Sequence, residues 1–385
     1  MPFASALSLH PDPAEATGEV VGRVLELMAE PPDLALLFCS PHHVDAVADI
    51  AGTVRALVRP GVLAGTTAVA VVGGEREAED GPAVALWAAR LAARPRPLRL
   101  TAASTPAGVA LQGLSVSSLA PGEVVLLLAD PFTLPVDAVV EALAALDPPV
   151  PVVGGVASAS RVPGGNRLVL DGDVSDGGGV GVVLPAEVAT TVVVSQGCRP
   201  VGGPMIVTGA EGNLLTELAG RPALERLEAL VVAADPDERT RLSGGLHLGI
   251  AIDEHLATFR QGDFLVRNLV GADRQARALA VDQRVAVGTT VQFQVRDADA
   301  ADHDLRARLA GAAGDGALLF TCNGRGERLF GVPDHDAAVV AAAVGSDAIA
   351  GMFCAGEVGP VGGRSFLHGF TASVVVFHDP PGRGA

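Results

Sequence analysis

Short apolar runs that end in small, polar, glycine-rich words recur along this chain. Residues 317–320 are apolar and give way to Thr321, Cys322, Asn323, Gly324 and Arg325, which predicts a buried strand emptying into a polar loop. A helix is expected over 337–344, started by Pro333 and Asp334. A second strand, Ile349–Cys354, then ends in AGEVGPVGGR, residues 355–364. Nearer the start, residues 15–28 have the spacing of an amphipathic helix, with Val20, Val21, Val24, Leu27 and Met28 on one side. A strand over 34–38 ends at Cys39, Ser40, Pro41, His42 and His43, and a helix is expected over 44–58. Strands over 61–64 and 68–72 follow, with Gly65, Thr66 and Thr67 between them, then a charged turn over 75–81 and strands over 83–91 and 98–102.

The plan returns in the middle of the chain. Strands over 124–129 and 151–155 flank a helix over 136–146. Strands over 177–184, 189–195 and 205–208 lead to a helix over 222–232 with Pro222 at its first position. After a polar break at Asp235, Pro236 and Asp237 come strands over 246–252, 264–270, 276–281 and 290–295. In the last of these Val291, Phe293 and Val295 alternate with Thr290, Gln292 and Gln294. A helix over 302–310 leads back to residue 317. Three words, LAGTTAVAVVGG from Leu63, VVGGVASASRVPGG from Val152 and IAGMFCAGEVGPVGG from Ile349, share an apolar approach and a closing double glycine. They read as an internal repeat of a β-α-β-β unit whose equivalent loops could converge on one site. The expected class is therefore α/β to α+β, with mixed sheets, packed helices and two associated pseudo-symmetric domains, the boundary falling near 209–220.

Composition narrows the function classes. A chain of 385 residues exceeds one ordinary core. Aromatics are 3% of it, so the core is aliphatic, as suits strands buried on both faces. The net charge of −17 argues against nucleic acid or an anionic membrane as partner. All 27 basic residues are Arg and there is no Tyr, which removes Schiff-base chemistry, a Walker lysine and a tyrosine acid. No run approaches the roughly 18 apolar residues of a spanning helix. The first thirteen residues show no secretory pattern. Four scattered cysteines without a C-x-x-C pair fit a reduced, cytoplasmic protein.

The words CNGRG, HDAAVV, AGMFCAGEVGPVGGR and FLHGFTAS resemble the C-terminal half of the FIST proteins (F-box and intracellular signal transduction). LLFCSPHH and GVLAGTTA resemble their N-terminal half, so the likeness spans about residues 32–376. It implies a lead-in over 1–31 with a helix, a FIST N-terminal domain over 32–215, a FIST C-terminal domain over 216–378 and a disordered tail over 379–385. It also implies a sensory module for small ligands, with amino acids as the suspected class and an unidentified signalling protein downstream.

The candidate chemistry sits in the loops. Arg325 lies between glycines and Arg364 follows a double glycine; Arg grips carboxylates bidentately, and glycine lets a ligand approach the backbone. Glu357, alone in AGEVG, is placed to receive a ligand ammonium. The alternative is an internal brace in which Arg325 pairs with Glu327 or Glu357. A ligand carboxylate could also sit at a helix N-terminus, after Ser40 and His43 or at the word containing Asp334 and His335, where the plainer expectation for Asp334 is an N-cap. The expected lining is thus Ser40, His43, Thr66, Cys322, Asn323, Arg325, His335, Glu357 and Arg364. Cys322, Cys354, His335 and His368 lack metal-ligand spacing, and no cofactor or metal is expected. No nucleophile elbow, H-E-x-x-H helix, complete G-x-G-x-x-G or P-loop occurs. Two classes remain: a ligand-binding sensor, and an enzyme on a small carboxylated substrate using Cys322 or His335 with Glu357.

Overall fold

The computed structural model describes residues 2–105 and 108–378; the expected tail at 379–385 lies outside them. The described residues divide into two compact units, one drawn from 2–194, 305–367 and 371–378, the other from 195–304 with 368–370.

The first unit is three versions of one plan. The first runs β1 (Phe3–Ser8), α1 (Pro13–Leu27), β2 (Leu34–Cys39), α2 (Val47–Leu57), β3 (Val62–Thr67), β4 (Val71–Gly73), β5 (Arg76–Ala78) and β6 (Val84–Ala89). The second runs β7 (Arg96–Thr105), β8 (Gly108–Gln112), β9 (Val124–Ala129), α3 (Val136–Ala144), β10 (Val152–Val156), β11 (Leu168–Leu170), β12 (Asp173–Ser175) and β13 (Gly179–Leu184). The third opens with β14 (Thr190–Gln196), which leads into the second unit. That unit holds β15 (Cys198–Glu211), β16 (Leu214–Leu218), β17 (Arg221–Pro222), α4 (Ala223–Ala233), α5 (Pro236–Gly244), β18 (Leu246–Ala251), β19 (Phe264–Asp273), β20 (Ala278–Val281) and β21 (Thr290–Arg296). The third version resumes with α6 (Ala298–Leu309), β22 (Gly316–Cys322), α7 (Glu327–Phe330), α8 (His335–Val344), β23 (Ile349–Cys354), β24 (Glu357–Val361), β25 (Arg364–His368) and β26 (Thr371–Phe377).

In every version two parallel strands are joined by a helix, and a hairpin is then given away to another version's sheet. The sheet orders are β1-β6-β2-β3-β11-β12, β25-β24-β10-β9-β13-β7-β8 and β14-β26-β22-β23-β4-β5. The first version's hairpin joins the third sheet, the second's joins the first, and the third's joins the second, closing a cycle. Alternation along the strands explains the layering. Leu36, Phe38, Leu126, Leu128, Leu318 and Phe320 face one shared core. Their neighbours Leu37, Leu127 and Leu319 face three separate cores under the helices. Trp87 closes one end of the shared core, its ring 5.0 Å from Phe377 and its Nε1 donating to Ala348 O at 3.0 Å.

The repeated words contain the second of the two parallel strands in each version. Gly65, Gly154 and Gly351 stand opposite Leu37, Leu127 and Leu319 in the parallel ladders. A Cβ at any of them would overlap the carbonyl oxygen of that leucine, so close backbone approach requires glycine. The segments after β3 and β10 and the end of β23 meet at Ser158, whose hydroxyl accepts from Val69 N–H at 3.0 Å and donates to Phe353 O.

Several expectations change. The chain opens with strand β1 before its first helix. The helix expected over 44–58 begins as a 3-10 turn, Pro41–Ala46. The charged turn at 75–81 contains β5, whose Glu77 is buried. Asp235 is a cap, its carboxylate accepting from Glu238 N–H at 2.8 Å to start α5 with Pro236 in the first turn. Residues 209–220 form a hairpin of β15 and β16. In the second unit β15-β21-β18-β19-β20-β16-β17 form one sheet, with an apolar face including Leu248, Phe293 and Val295.

Candidate functional site

At the carboxyl ends of β22 and β23 the shared core turns polar. Cys322 and Cys354 are direct partners in the parallel ladder, Thr371 begins β26, and Glu357 begins β24 opposite Gly155. A Cβ at Gly155 would run into the Cys354 thiol, so glycine there makes room for the sulfur. Arg325, in the loop after β22, is 2% exposed, and Glu357 is completely buried.

Arg325 does not brace against Glu327 or Glu357. Its Nε and Nη2 donate to Asp336 Oδ2 and Oδ1 at 2.7 and 2.9 Å, a bidentate pair. Asp336 also accepts from Thr321 Oγ1 at 2.7 Å, and His335 Nδ1 lies 3.0 Å from its Oδ1. Burial opposes the ionisation of Asp336, but Arg325, His335 and Thr321 together hold its carboxyl well below the usual range. The guanidinium therefore remains charged inside the protein. Its Nη1 is buried and has no hydrogen-bond partner.

Glu357 has the complementary condition. Its Oε2 accepts from Thr371 N–H at 3.1 Å and Thr371 Oγ1 at 2.8 Å, while Oε1 is buried with no partner. Burial pushes its pKa up to about 8 against the pull of Thr371, Arg325 and the Cys322 thiol. That thiol lies 3.8 Å from Asn323 Oδ1. Cys354 is pushed well above the ordinary thiol range by burial, and by Glu357 after it.

The helix N-terminus expected to attract a ligand carboxylate is filled by the protein itself. Glu77 Oε1 accepts from Ala337 N–H at 2.9 Å, and burial, then Asp336, raises the Glu77 carboxyl to about 8. Asp334 is not a side-chain cap. It adopts a left-handed backbone, φ 63°, and its Oδ1 accepts from Glu77 N–H at 2.7 Å. Over this group run residues 326–334, a strap that contains Gly326 and Gly331, with φ of 70° and 71°. Phe330 stacks on His335 at 3.4 Å and lies 5.1 Å from Arg325 Cζ. Glu79 Oε1 pins the strap by accepting from Glu327 N–H at 2.7 Å.

Of the expected residues, Cys322, Asn323, Arg325, His335 and Glu357 thus gather in one place. Ser40 and Thr66 spend their hydroxyls elsewhere, Ser40 accepting from Ala83 N–H at 2.9 Å and Thr66 donating to Arg167 O at 3.1 Å. His43 is buried in the 3-10 turn. Arg364 is exposed at the start of β25, 5.8 Å from the Phe366 ring. Sequence reasoning missed Asp336, Glu77 and Glu79. Asp336 was legible as the second carboxylate of its word, but Glu77 and Glu79 arrive in a hairpin donated from the first version of the repeat. Among the described residues no group of three or more His, Cys, Asp or Glu is placed to hold a metal ion, and no helix is long and apolar enough to cross a membrane.

Residues 33–221 match the FIST N domain and residues 223–360 the FIST C domain; neither match is to an F-box. An uncharacterised protein of Mycobacterium bovis is 48% identical over 378 residues, covering 96% of this chain and 97% of its own length. Another, from Mycobacterium tuberculosis, is 45% identical over 388 residues, covering 98% of this chain and all of its own.

Proposed function

From the premise that this chain belongs to the FIST family, whose domains are associated with sensing in signal transduction, we propose that it is a cytoplasmic sensor of a small zwitterion, with an amino acid the favoured class. The reading rests on one observation: two buried atoms of opposite chemistry, Arg325 Nη1 and Glu357 Oε1, have no partner in the protein. Native structures seldom leave such atoms bare. A ligand carboxylate takes the Nη1 donor and a ligand ammonium takes Oε1. Asp336 keeps the guanidinium oriented, and Thr371 does the same for the carboxyl. Entry requires the strap at 326–334 to lift, and a downstream protein would read the closed and open states.

Proton release is the signature. With a pKa of about 8, Glu357 is about nine-tenths protonated at pH 7, and an ammonium at Oε1 favours the carboxylate. Calorimetric titration of the full chain with a panel of amino acids, in two buffers of different ionisation enthalpy, should find a binder that releases nearly one proton. Glu357→Gln should abolish the release and weaken binding. If no amino acid binds, the ligand class is wrong; if one binds without proton release, Glu357 is not its ammonium site.

A further inference from the structure

A second group of buried polar atoms without partners lies in the inserted unit. In the ladder between β18 and β21, His247 stands opposite Gln294, and Gly249 opposite Gln292. The alternating residues Leu248, Ile250, Val291, Phe293 and Val295 fill an apolar core, so His247, Gln292 and Gln294 share the other face of the sheet. All three are buried. Both ring nitrogens of His247, Oε1 of Gln292 and Nε2 of Gln294 have no hydrogen-bond partner in the protein. Leaving these groups bare destabilises the fold, and apolar residues of similar size would avoid that cost.

One hydrogen bond orients the Gln292 amide, and the Gln294 amide is placed over Gly249. Gln292 Nε2 donates to Gly202 O at 2.6 Å, which leaves Oε1 as an acceptor. The Gln294 amide lies across Gly249, where a Cβ would stand 2.6 Å from its Nε2. Burial, and after it Arg296, lowers the His247 pKa to about 4, so the ring is neutral and offers one donor and one acceptor. The Phe370 ring centre is 4.1 Å from that of His247, and the Arg296 guanidinium lies 5.8 Å from the same Phe370 ring. Phe370 is held in a left-handed conformation, φ 64°, and its carbonyl accepts from Gly197 N–H at 2.8 Å. A bulky residue keeps that backbone only where its surroundings enforce it.

We propose that this face of the inserted unit is a second ligand site, for a neutral, planar lactam or ureide. Such a molecule donates an N–H to Gln292 Oε1, accepts from Gln294 Nε2 through a carbonyl, meets His247 with either group, and lies against Phe370. A carboxylate brings no donor for Gln292, and an ammonium brings no acceptor for Gln294. The zwitterion site in the other unit uses none of these residues, so either proposal can fail alone.

The probe is uracil, with benzoate as a planar charged control, measured by equilibrium dialysis on the full chain. Uracil should bind saturably and benzoate should not. Gln294→Leu and Gln292→Leu should each weaken uracil binding by about tenfold or more, with Gln294→Leu melting at or above the wild-type temperature, and Glu357→Gln should bind uracil like wild type. The proposal is overturned by the absence of saturable uracil binding, by affinity that Gln294→Leu leaves unchanged, or by a uracil-soaked crystal showing only ordered water on these atoms.

Discussion

Replacing Glu357 with Gln should leave the protein's stability nearly unchanged in acid and raise it in base. A buried carboxyl with a folded pKa of about 8 and an ordinary value of 4.5 holds its proton in the folded state across the interval between them. The folded state binds the extra proton there, so stability falls as pH rises. Linkage with those two values gives a loss of about 3 kcal/mol between pH 5.5 and 8.5 from this one group. Gln presents the shape and hydrogen-bonding pattern of the protonated acid: its oxygen can accept from Thr371 as Oε2 does, and its NH2 takes the place of the bare Oε1. The variant should therefore lose that part of the slope and keep the part due to Glu77, whose carboxyl is also raised to about 8. Trp87 is the chain's single tryptophan and is fully buried in the shared core, so its fluorescence during urea unfolding reports the first unit. Midpoints at pH 5.5 and 8.5 decide the matter. If Glu357→Gln is less stable than wild type at pH 8.5, or if its pH slope matches wild type, Glu357 is ionised in the folded protein and the proton-release signature falls with it.

Three further outcomes follow from the same geometry. Asp336→Ala strands the Arg325 charge in the interior and should destabilise the first unit by about 3–5 kcal/mol by the same urea assay; a loss below 1 kcal/mol would mean that Arg325 reaches solvent. Gly351→Ala forces a Cβ onto Leu319 O and should cost about 3 kcal/mol, whereas Gly52→Ala, where a Cβ meets nothing in the middle of α2, should be neutral or stabilising. Burial pushes the Cys39 thiol up to about 12 and raises Cys354 further above its ordinary value than alkylation at pH 8 can use. Peptide mass spectrometry after iodoacetamide should find both untouched in native protein and all four cysteines labelled in urea.

The class of fold was legible because its signal is local. Apolar runs of strand length, helical spacing between them and the three glycine-bearing words all reflect neighbours in the chain, and Ile349–Cys354 and Val124–Ala129 stand where the pattern puts them. What was hidden is non-local. Nothing in VVGGEREAE indicates that its hairpin pairs with β23, through Gly73 and Ala350 for one pair, or that it carries Glu77 to the N-terminus of α8. Arg325 is legible as an anion-gripping residue but its partner is not, because Glu327 and Glu357 are the carboxylates the two loops offer and only the path of the strap brings Asp336 to it. Ser40 resembles a site residue because it stands where Cys322 does, at the end of an equivalent strand, and Thr66 because it follows the glycine of its repeated word.

That equivalence supplies an internal comparison. With Gly65, Gly154 and Gly351 in register, Ser40, Asp130 and Cys322 occupy the same position at the end of the first parallel strand of each version. In the first, Ser40 Oγ is engaged by Ala83 N–H. In the second, Asp130 is fully buried but saturated: Asn166 Nδ2 donates to it at 3.0 Å, Phe132 N–H at 3.0 Å and Thr133 Oγ1 at 2.8 Å. In both, the side chain at this position is engaged by the protein, although His43 Nε2 in the turn after Ser40 is buried without a partner. Only the third version surrounds this position with a charged pair and a raised carboxyl that leave a donor and an acceptor unspent. Had the polar ends been a requirement of the fold, all three should be satisfied alike, since the backbone problem they solve is the same. The exception lies where CNGRG and AGEVG meet, and restoring closure there is a direct test of its purpose. Cys322→Ser, which places at this position the residue found in the first version, should leave the unfolding free energy within about 1 kcal/mol of wild type while changing amino-acid affinity; a change in stability with no change in affinity would mark the third end as structural too.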